Sequence, residues 1–392
     1  MKALIRVLVG GMFGVLTVLF GIALVGHAHV EPVVQTEHRT LLPEAEGAIV
    51  HVVMHWTPGA DALLSRPYAD FLQALDPSVK VTFVVPRGMP VHQHKQFERR
   101  ITAIDPSRNL LGRVEQVEVD GPITAWSKDR ALVGQKESVN GQAHLIIPAE
   151  PTLEWKERHN DWKSVSSVTA NYPALFKLDT SPFDFDAGDI AVARGVAIID
   201  SNLLEKNRRR GYSNLPQLAG RLGEYLKMQV VTLGHEWGDT PRHHLSMYMT
   251  PLAGNHVLVG DPRAAASIVG EHFVPGDLGV ENQEPLEADF SLASIERFDR
   301  AKQELKSQGF DVTPIVNVPF DDKTYLSYTN GVFEVRGGRK IAYVPAYDLP
   351  ALDDAAQQTY RKLGWDVVPI HVRALYPFHG TIGCVVNVLS RR

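Results

Sequence analysis

The chain has 392 residues, 44% of them hydrophobic and 22% charged, with a formal net charge of -5. That composition supplies the core of one large domain or two ordinary ones and excludes global disorder. The negative balance argues against nucleic acid as a partner, and a single cysteine, Cys384, excludes an intrachain disulfide and the common Cys/His zinc sites.

Lys2 and Arg6 precede Val7–Gly26, twenty residues in which only Thr17 is polar. At a rise of about 1.5 Å per residue the run spans roughly 30 Å, the thickness of a bilayer core. It is expected to be a single-pass anchor in the plasma (inner) membrane, with the globular part on the extracytoplasmic side. The alternative is a signal peptide cleaved near Gly26-His-Ala28, which leaves a secreted or periplasmic protein. Residues 1–28 are therefore assigned to the anchor or signal, 29–46 to a polar linker and 47–392 to one globular domain. In an oxidising compartment a lone cysteine has no structural partner, which favours a chemical role for Cys384.

Alternating and β-branched runs predict strands at Ala48–His55, Val79–Pro86, Val114–Val119, Ala131–Val133 and Ala143–Pro148, with a helix at Tyr68–Leu75. Ile190–Asp200 reads as a hairpin turning at Gly195, followed by a helix over Leu215–Leu226 and a strand over Met228–Leu233. Met247–Leu252 and His256–Asp261 form another hairpin, and Ile295–Gln308 is an amphipathic helix stopped by Gly309. A strand at Val312–Val318 leads to Tyr325–Phe333, expected to pair with Lys340–Pro345. A helix at Leu352–Leu363, a strand at Asp366–Ile370 and a Val-rich strand opened by Cys384 complete the chain. A strand–strand–helix–strand unit thus recurs roughly five times, at irregular intervals of about 40 to 70 residues, which suits an α/β ring of similar modules better than a short-period solenoid. The cluster Lys206-Asn-Arg-Arg-Arg210 reads as a solvated turn, and acidic Asp277–Ser291 as a surface insertion.

Four segments carry candidate chemistry: Thr124-Ala-Trp-Ser-Lys-Asp129, Asp186-Ala-Gly-Asp189, the stretch from Gly234 to Ser246 with its His243-His244 pair, and Gly380-Thr-Ile-Gly-Cys384. Singly, each has a plain structural reading: a polar turn, a hairpin entry, packed histidines, a small hydrophobic cysteine. Their order and spacing carry more.

From about Ala48 to Leu389 the chain resembles the pentein (guanidino-group-modifying) superfamily, and is most similar to agmatine deiminase and peptidyl-arginine deiminase-like members. Trp126-Ser-Lys-Asp129 resembles the family's Trp-x-Arg-Asp, with lysine for arginine. Asp186-Ala-Gly-Asp189 is similar to its Glu-Gly-Gly-Asp/Asn, with aspartate for glutamate. His243-His244-Leu-Ser246 resembles its Gly-His-x-Asp, with serine for the aspartate, and Ser327-Tyr-Thr-Asn330 matches its Ser-Tyr-x-Asn. Gly380-Thr-Ile-Gly-Cys384 resembles its glycine-rich His-Cys segment, with glycine for histidine.

The resemblance implies a pentein fold of about five ββαβ modules around a pseudo-fivefold axis. It implies a cysteine-dependent hydrolase of C–N bonds in an amidine or guanidine-type small molecule or an arginine-containing peptide. Cys384 would be the nucleophile, His244 the acid and base, and Asp129 and Asp186 the acceptors of the planar cation; Trp126, Asp189, Ser246 and Asn330 would contact substrate. No metal or organic cofactor is expected. Serine cannot replace the charge of the family's aspartate, so the departure at Ser246 points to an altered substrate, a slow deiminase or a non-catalytic binding protein. An amidinotransferase, with an amine as acceptor, is a further alternative.

Overall fold

A computed structural model describes residues 40–104, 110–136, 141–150, 158–276, 286–321 and 323–392. The expected anchor and most of the expected acidic insertion lie outside these residues. Among the described residues, no helix is long and apolar enough to cross a membrane.

The first sheet starts with β1 (Ile49–His55), whose parallel neighbour is β2 (Lys80–Pro86), which in turn pairs with β3 (Val114–Val119). Five of the seven β2 residues are buried, the pattern of strands covered on both faces. The helices Asp61–Ala74 and Val91–Ile104 make the crossovers, the first burying Leu64, Tyr68, Phe71 and Leu72.

Four further sheets follow in chain order, and each holds an antiparallel pair whose second strand runs parallel to the next. They contain β4 (Leu132–Lys136), β5 (Ala143–Ile147) and β6 (Phe176–Thr180); then β7 (Ala191–Ala193), β8 (Val196–Asp200) and β9 (Gln229–Leu233). The next holds β10 (Met249–Pro251), β11 (His256–Asp261), β12 (Asp311–Pro319) and β13 (Tyr325–Ser327), and the last β14 (Val332–Arg336), β15 (Arg339–Ala346) and β16 (Asp366–His371). The β7–β8 turn places Arg194 and Gly195 at φ 52° and 72°, the positive pair that a two-residue hairpin demands. The last strand, β17 (Val386–Arg391), runs antiparallel to β1, so both ends of the described chain meet in one sheet.

Three expectations change. Tyr325–Phe333 is not one strand: it breaks at Tyr328–Gly331, its first part pairing with β12 and its second with β15. The break is buried, so its polar groups turn inward toward the site rather than onto a ladder. Residues 40–46, expected in the linker, pack on the body: Leu41 bridges Gly134, and Leu41 and Ala45 are 2% exposed. The end of the expected surface insertion also packs, with Ala288 buried and donating its N–H to the Phe273 carbonyl.

Arg391 fastens this closure. Its guanidinium donates to the carbonyls of Phe333 at 2.7 Å, Glu44 at 2.6 Å and Gly47 at 3.3 Å. Replacing Arg391 by Met strands these part-buried carbonyls, and urea titration should show a loss of about 2–3 kcal/mol in unfolding free energy.

Candidate active site

Cys384 does not open a strand. It lies in a single helical turn, Ile382–Val385, that precedes β17, and it is 4% exposed. Two glycines explain why the turn fits there. A Cβ on Gly383 would stand 2.0 Å from the Asn330 side-chain oxygen, and one on Gly380 would stand 2.3 Å from the Trp126 ring. Gly383 therefore lets the turn close onto Asn330, whose Nδ2 donates to the Cys384 sulfur at 3.0 Å and to the Met247 sulfur at 2.9 Å. Gly380 lets the indole of Trp126 lie over the loop. The carbonyl of Cys384 accepts from the Lys128 N–H at 3.2 Å, which ties the turn to the Trp126–Asp129 segment.

His244 follows His243, a residue held at φ 77°, and the two imidazoles stack with centroids 4.1 Å apart. His244 Nε2 lies 3.3 Å from Asp186 Oδ2. A Cβ on Gly188 would come within 2.8 Å of the His244 ring, so the glycine of Asp186-Ala-Gly-Asp189 leaves room for the imidazole. Burial alone would lower the pKa of His244. The charge of Asp129 and hydrogen bonding with Asp186 and Cys384 outweigh it and push the pKa up to about 10. His243 is driven well below its ordinary value, by burial first and then by the charge of His244, and remains neutral.

Asp186 is enclosed by cations. Lys206 Nζ lies 2.8 Å from its Oδ2 and 2.6 Å from Asp189 Oδ2, while Arg130 and Arg158 approach Oδ1 at 3.3 and 3.5 Å. Burial would raise its pKa, yet Lys206, the hydrogen bond with His244 and Arg158 hold it well below the carboxylate range. Asp129 receives Arg158 Nη2 at 2.7 Å, and for Asp129 burial prevails and its pKa moves up. The cluster Lys206-Asn-Arg-Arg-Arg210 is a solvated turn only in part: Arg208 and Arg209 are exposed on a 3-10 turn, whereas Lys206 and Asn207 face inward. Lys206 neutralises two buried carboxylates, and Arg209 and Arg210 converge on Asp184.

Cys384, His244, Asp129, Asp186 and Trp126 all line one cavity of about 750 Å³. The other three expected contacts do not. Asp189 is fully buried behind Asp186, accepting its N–H at 2.8 Å as well as the Lys206 ammonium. Asn330 touches the sulfur from the protein interior. Ser246 lines a separate small crevice with Lys128 and Thr329, because the 3-10 turn Leu245–Met247 follows His244 directly. Sequence reasoning missed Arg158, Lys206, Trp237, Arg242 and Lys323 in the cavity wall. Lys206 stood in a visible run of basic residues, and Trp237 and Arg242 in the stretch Gly234–Ser246 already singled out for its histidines; Arg158 and Lys323 stood in no such segment.

Asp129, Asp186 and His244 each offer a ligand atom, all within 4.8 Å of one another, the sole such grouping of His, Cys, Asp or Glu among the described residues. Their charges already pair with Arg158, Lys206 and one another, so a metal ion would have to displace two bound cations. The arrangement suits a protonated imidazole held beside a thiol: a proton donor and a nucleophile facing one cavity.

No protein-family model matches the sequence, and no curated protein matches it. Solved structures do. An agmatine deiminase of C. jejuni superposes with a TM-score of 0.60 at 18% identity, covering 88% of this chain and 94% of that one. An agmatine deiminase of Enterococcus faecalis gives 0.59 at 15% identity over 88% and 94%. The fold is therefore that of these proteins, the pentein fold.

The His244 charge has a consequence for stability. Its folded pKa lies above the unfolded value near 6.5, so its contribution is complete below about 6.5 and is lost as pH rises toward about 10. Denaturant titrations from pH 6.5 to 10 should show wild-type stability falling across this window and a flatter profile for His244→Gln.

Proposed function

We propose that this chain, built on the pentein fold of the agmatine deiminases, hydrolyses a C–N bond of an amidine- or guanidine-type substrate through Cys384. The observation that carries the reading is the convergence of Cys384, His244, Asp129 and Asp186, from four distant segments, on one cavity. A structural cysteine has no use for a cationic neighbour, whereas a nucleophilic thiolate is favoured by one, and the protonated His244 is such a neighbour.

The thiolate of Cys384 attacks the trigonal carbon of the substrate. The tetrahedral adduct collapses as His244 gives its proton to the departing amine, which leaves an S-linked thiouronium. Neutral His244 then removes a proton from water, and the hydroxide attacks the same carbon. Collapse releases a ureido product and regenerates the thiolate; His244 keeps the first proton of the water, and the hydroxyl proton passes to the released amine, which leaves as its ammonium ion. Asp186 fixes the imidazole through its 3.3 Å contact and stabilises the charged form. The donor Asn330 Nδ2, 3.0 Å from sulfur, steadies the thiolate from the buried side.

Assays of ammonia and ureido product, with the full chain and a panel of guanidines, amidines and arginyl peptides, test this directly. Turnover should vanish in Cys384→Ala and drop by about 10²–10⁴-fold in His244→Gln. A haloacetamidine should label Cys384 in the native protein. If nothing turns over and Cys384 reacts only after denaturation, the protein is a binder and the hydrolase reading is wrong.

A further inference from the structure

Two further histidines on the cavity wall hold backbone conformations that side chains rarely adopt. His243 lies at φ 77° and His379 at φ 65°, the latter closing the 3-10 turn Tyr376–Phe378. A residue with a side chain is strained in this region, and the strain persists only where surrounding contacts impose it. Here the two residues impose it on each other. His243 Nε2 lies 3.0 Å from the His379 carbonyl oxygen, which can only accept, so Nε2 carries the hydrogen and donates it. The His379 ring is held by Thr324, whose hydroxyl lies 2.9 Å from Nδ1. Tyr325, the next residue, donates its hydroxyl to the Arg242 carbonyl at 2.8 Å, beside His243.

These contacts join two loops that the reaction needs in register. His379 stands five residues before Cys384, and His243 directly precedes His244. Lys128 ties the Cys384 turn to the Asp129 segment, and the His243–His379 bond ties it to the histidine segment. Asp186 meets the edge of the His244 ring at 3.3 Å, whereas His243 meets its face, with centroids 4.1 Å and planes 20° apart. A neutral ring lies comfortably on an imidazolium, and a second cation at that spacing would repel it. Burial, and then the charge of His244, keep His243 neutral.

We propose that His243 is a positioning residue: anchored on the His379 carbonyl, its ring holds the His244 imidazole in line with Cys384 and couples the loop of the acid to the loop of the nucleophile. The proposal rests on the reading that Cys384 attacks an amidino carbon with His244 beside it.

The full chain with His243→Gly tests this, because glycine takes a positive φ without strain while the ring and its bond are lost. Labelling of native Cys384 by 2-chloroacetamidine near pH 8 should slow by about ten- to a hundredfold, the cost of a small misplacement, while the urea midpoint does not fall. Added imidazole, which can refill the space and donate to the His379 carbonyl, should restore labelling saturably. 1-Methylimidazole, a base of similar shape without an N–H, should not. Thr324→Val, which loosens the His379 ring from outside the reacting groups, should slow labelling by about two- to tenfold, and it decides the matter if the glycine variant does not fold. Unchanged labelling in His243→Gly, no restoration by imidazole, or equal restoration by both bases overturns the tether and leaves attack by Cys384 intact. Failure of native wild-type Cys384 to label at all overturns the amidino reading and the tether with it.

Discussion

A carboxylate moved out of water loses far more hydration energy than any single contact restores, and it stays ionised only when cations enclose it. Asp186 is such a group, and much of the site exists to hold it. Lys206 arrives on the short helix Ser201–Asn207, Arg130 from the turn before β4, Arg158 from the start of the helical stretch leading to Asp161–Asn171, and His244 from the loop before β10. Four separate stretches are thereby fixed around one oxygen pair. The charge of Asp129 and the hydrogen bond with ionised Asp186 outweigh burial and keep His244 protonated, and the protonated His244 gives Cys384 a cationic neighbour.

The apolar packing sets where these charges meet. Cys384 belongs to a buried cluster with Ala191 and Ile198 of the third sheet, Val257 and Val259 of the fourth and Met247 of the turn before it, while its own turn leads into β17 of the first. The antiparallel pairing of β17 with β1 brings a residue near the end of the chain beside segments more than a hundred residues earlier. Close approach of backbone and ring is what the site glycines permit. Gly188 makes room for the His244 imidazole, Gly380 for the Trp126 indole and Gly383 for Asn330, and a single methyl at any of them would push these partners apart.

Much of the fold was legible from local pattern. Val-rich runs and the hairpin signal at Gly195 located the strands, and Leu215–Leu226 has the expected bounds because Asn214 caps it and Leu215, Leu218, Leu222 and Leu226 keep one face apolar. Pattern failed where a segment's partner decided its form. Tyr325–Phe333 alternates like one strand, yet it serves two sheets and breaks to place Asn330 under the sulfur. Cys384 precedes valines that do form a strand, but contacts with Asn330 and Lys128 coil its own residue into a helical turn.

The sequence by itself determined the kinds of groups available: one thiol, a histidine pair, two carboxylate segments and a recurring strand–strand–helix–strand pattern, in an order that resembles that of a known superfamily. Those are local properties, carried by residue type and short spacing. Only the tertiary structure decided which charges face one another. Lys206 reads as part of a solvated basic turn until the helix Ser201–Asn207 carries it against Asp186 and Asp189. Ser246 reads as a substrate contact until a 3-10 turn sends it to another crevice. Coulombic pairing in a buried site depends on distances of a few ångströms between residues far apart in the chain, and no spacing along the sequence encodes them.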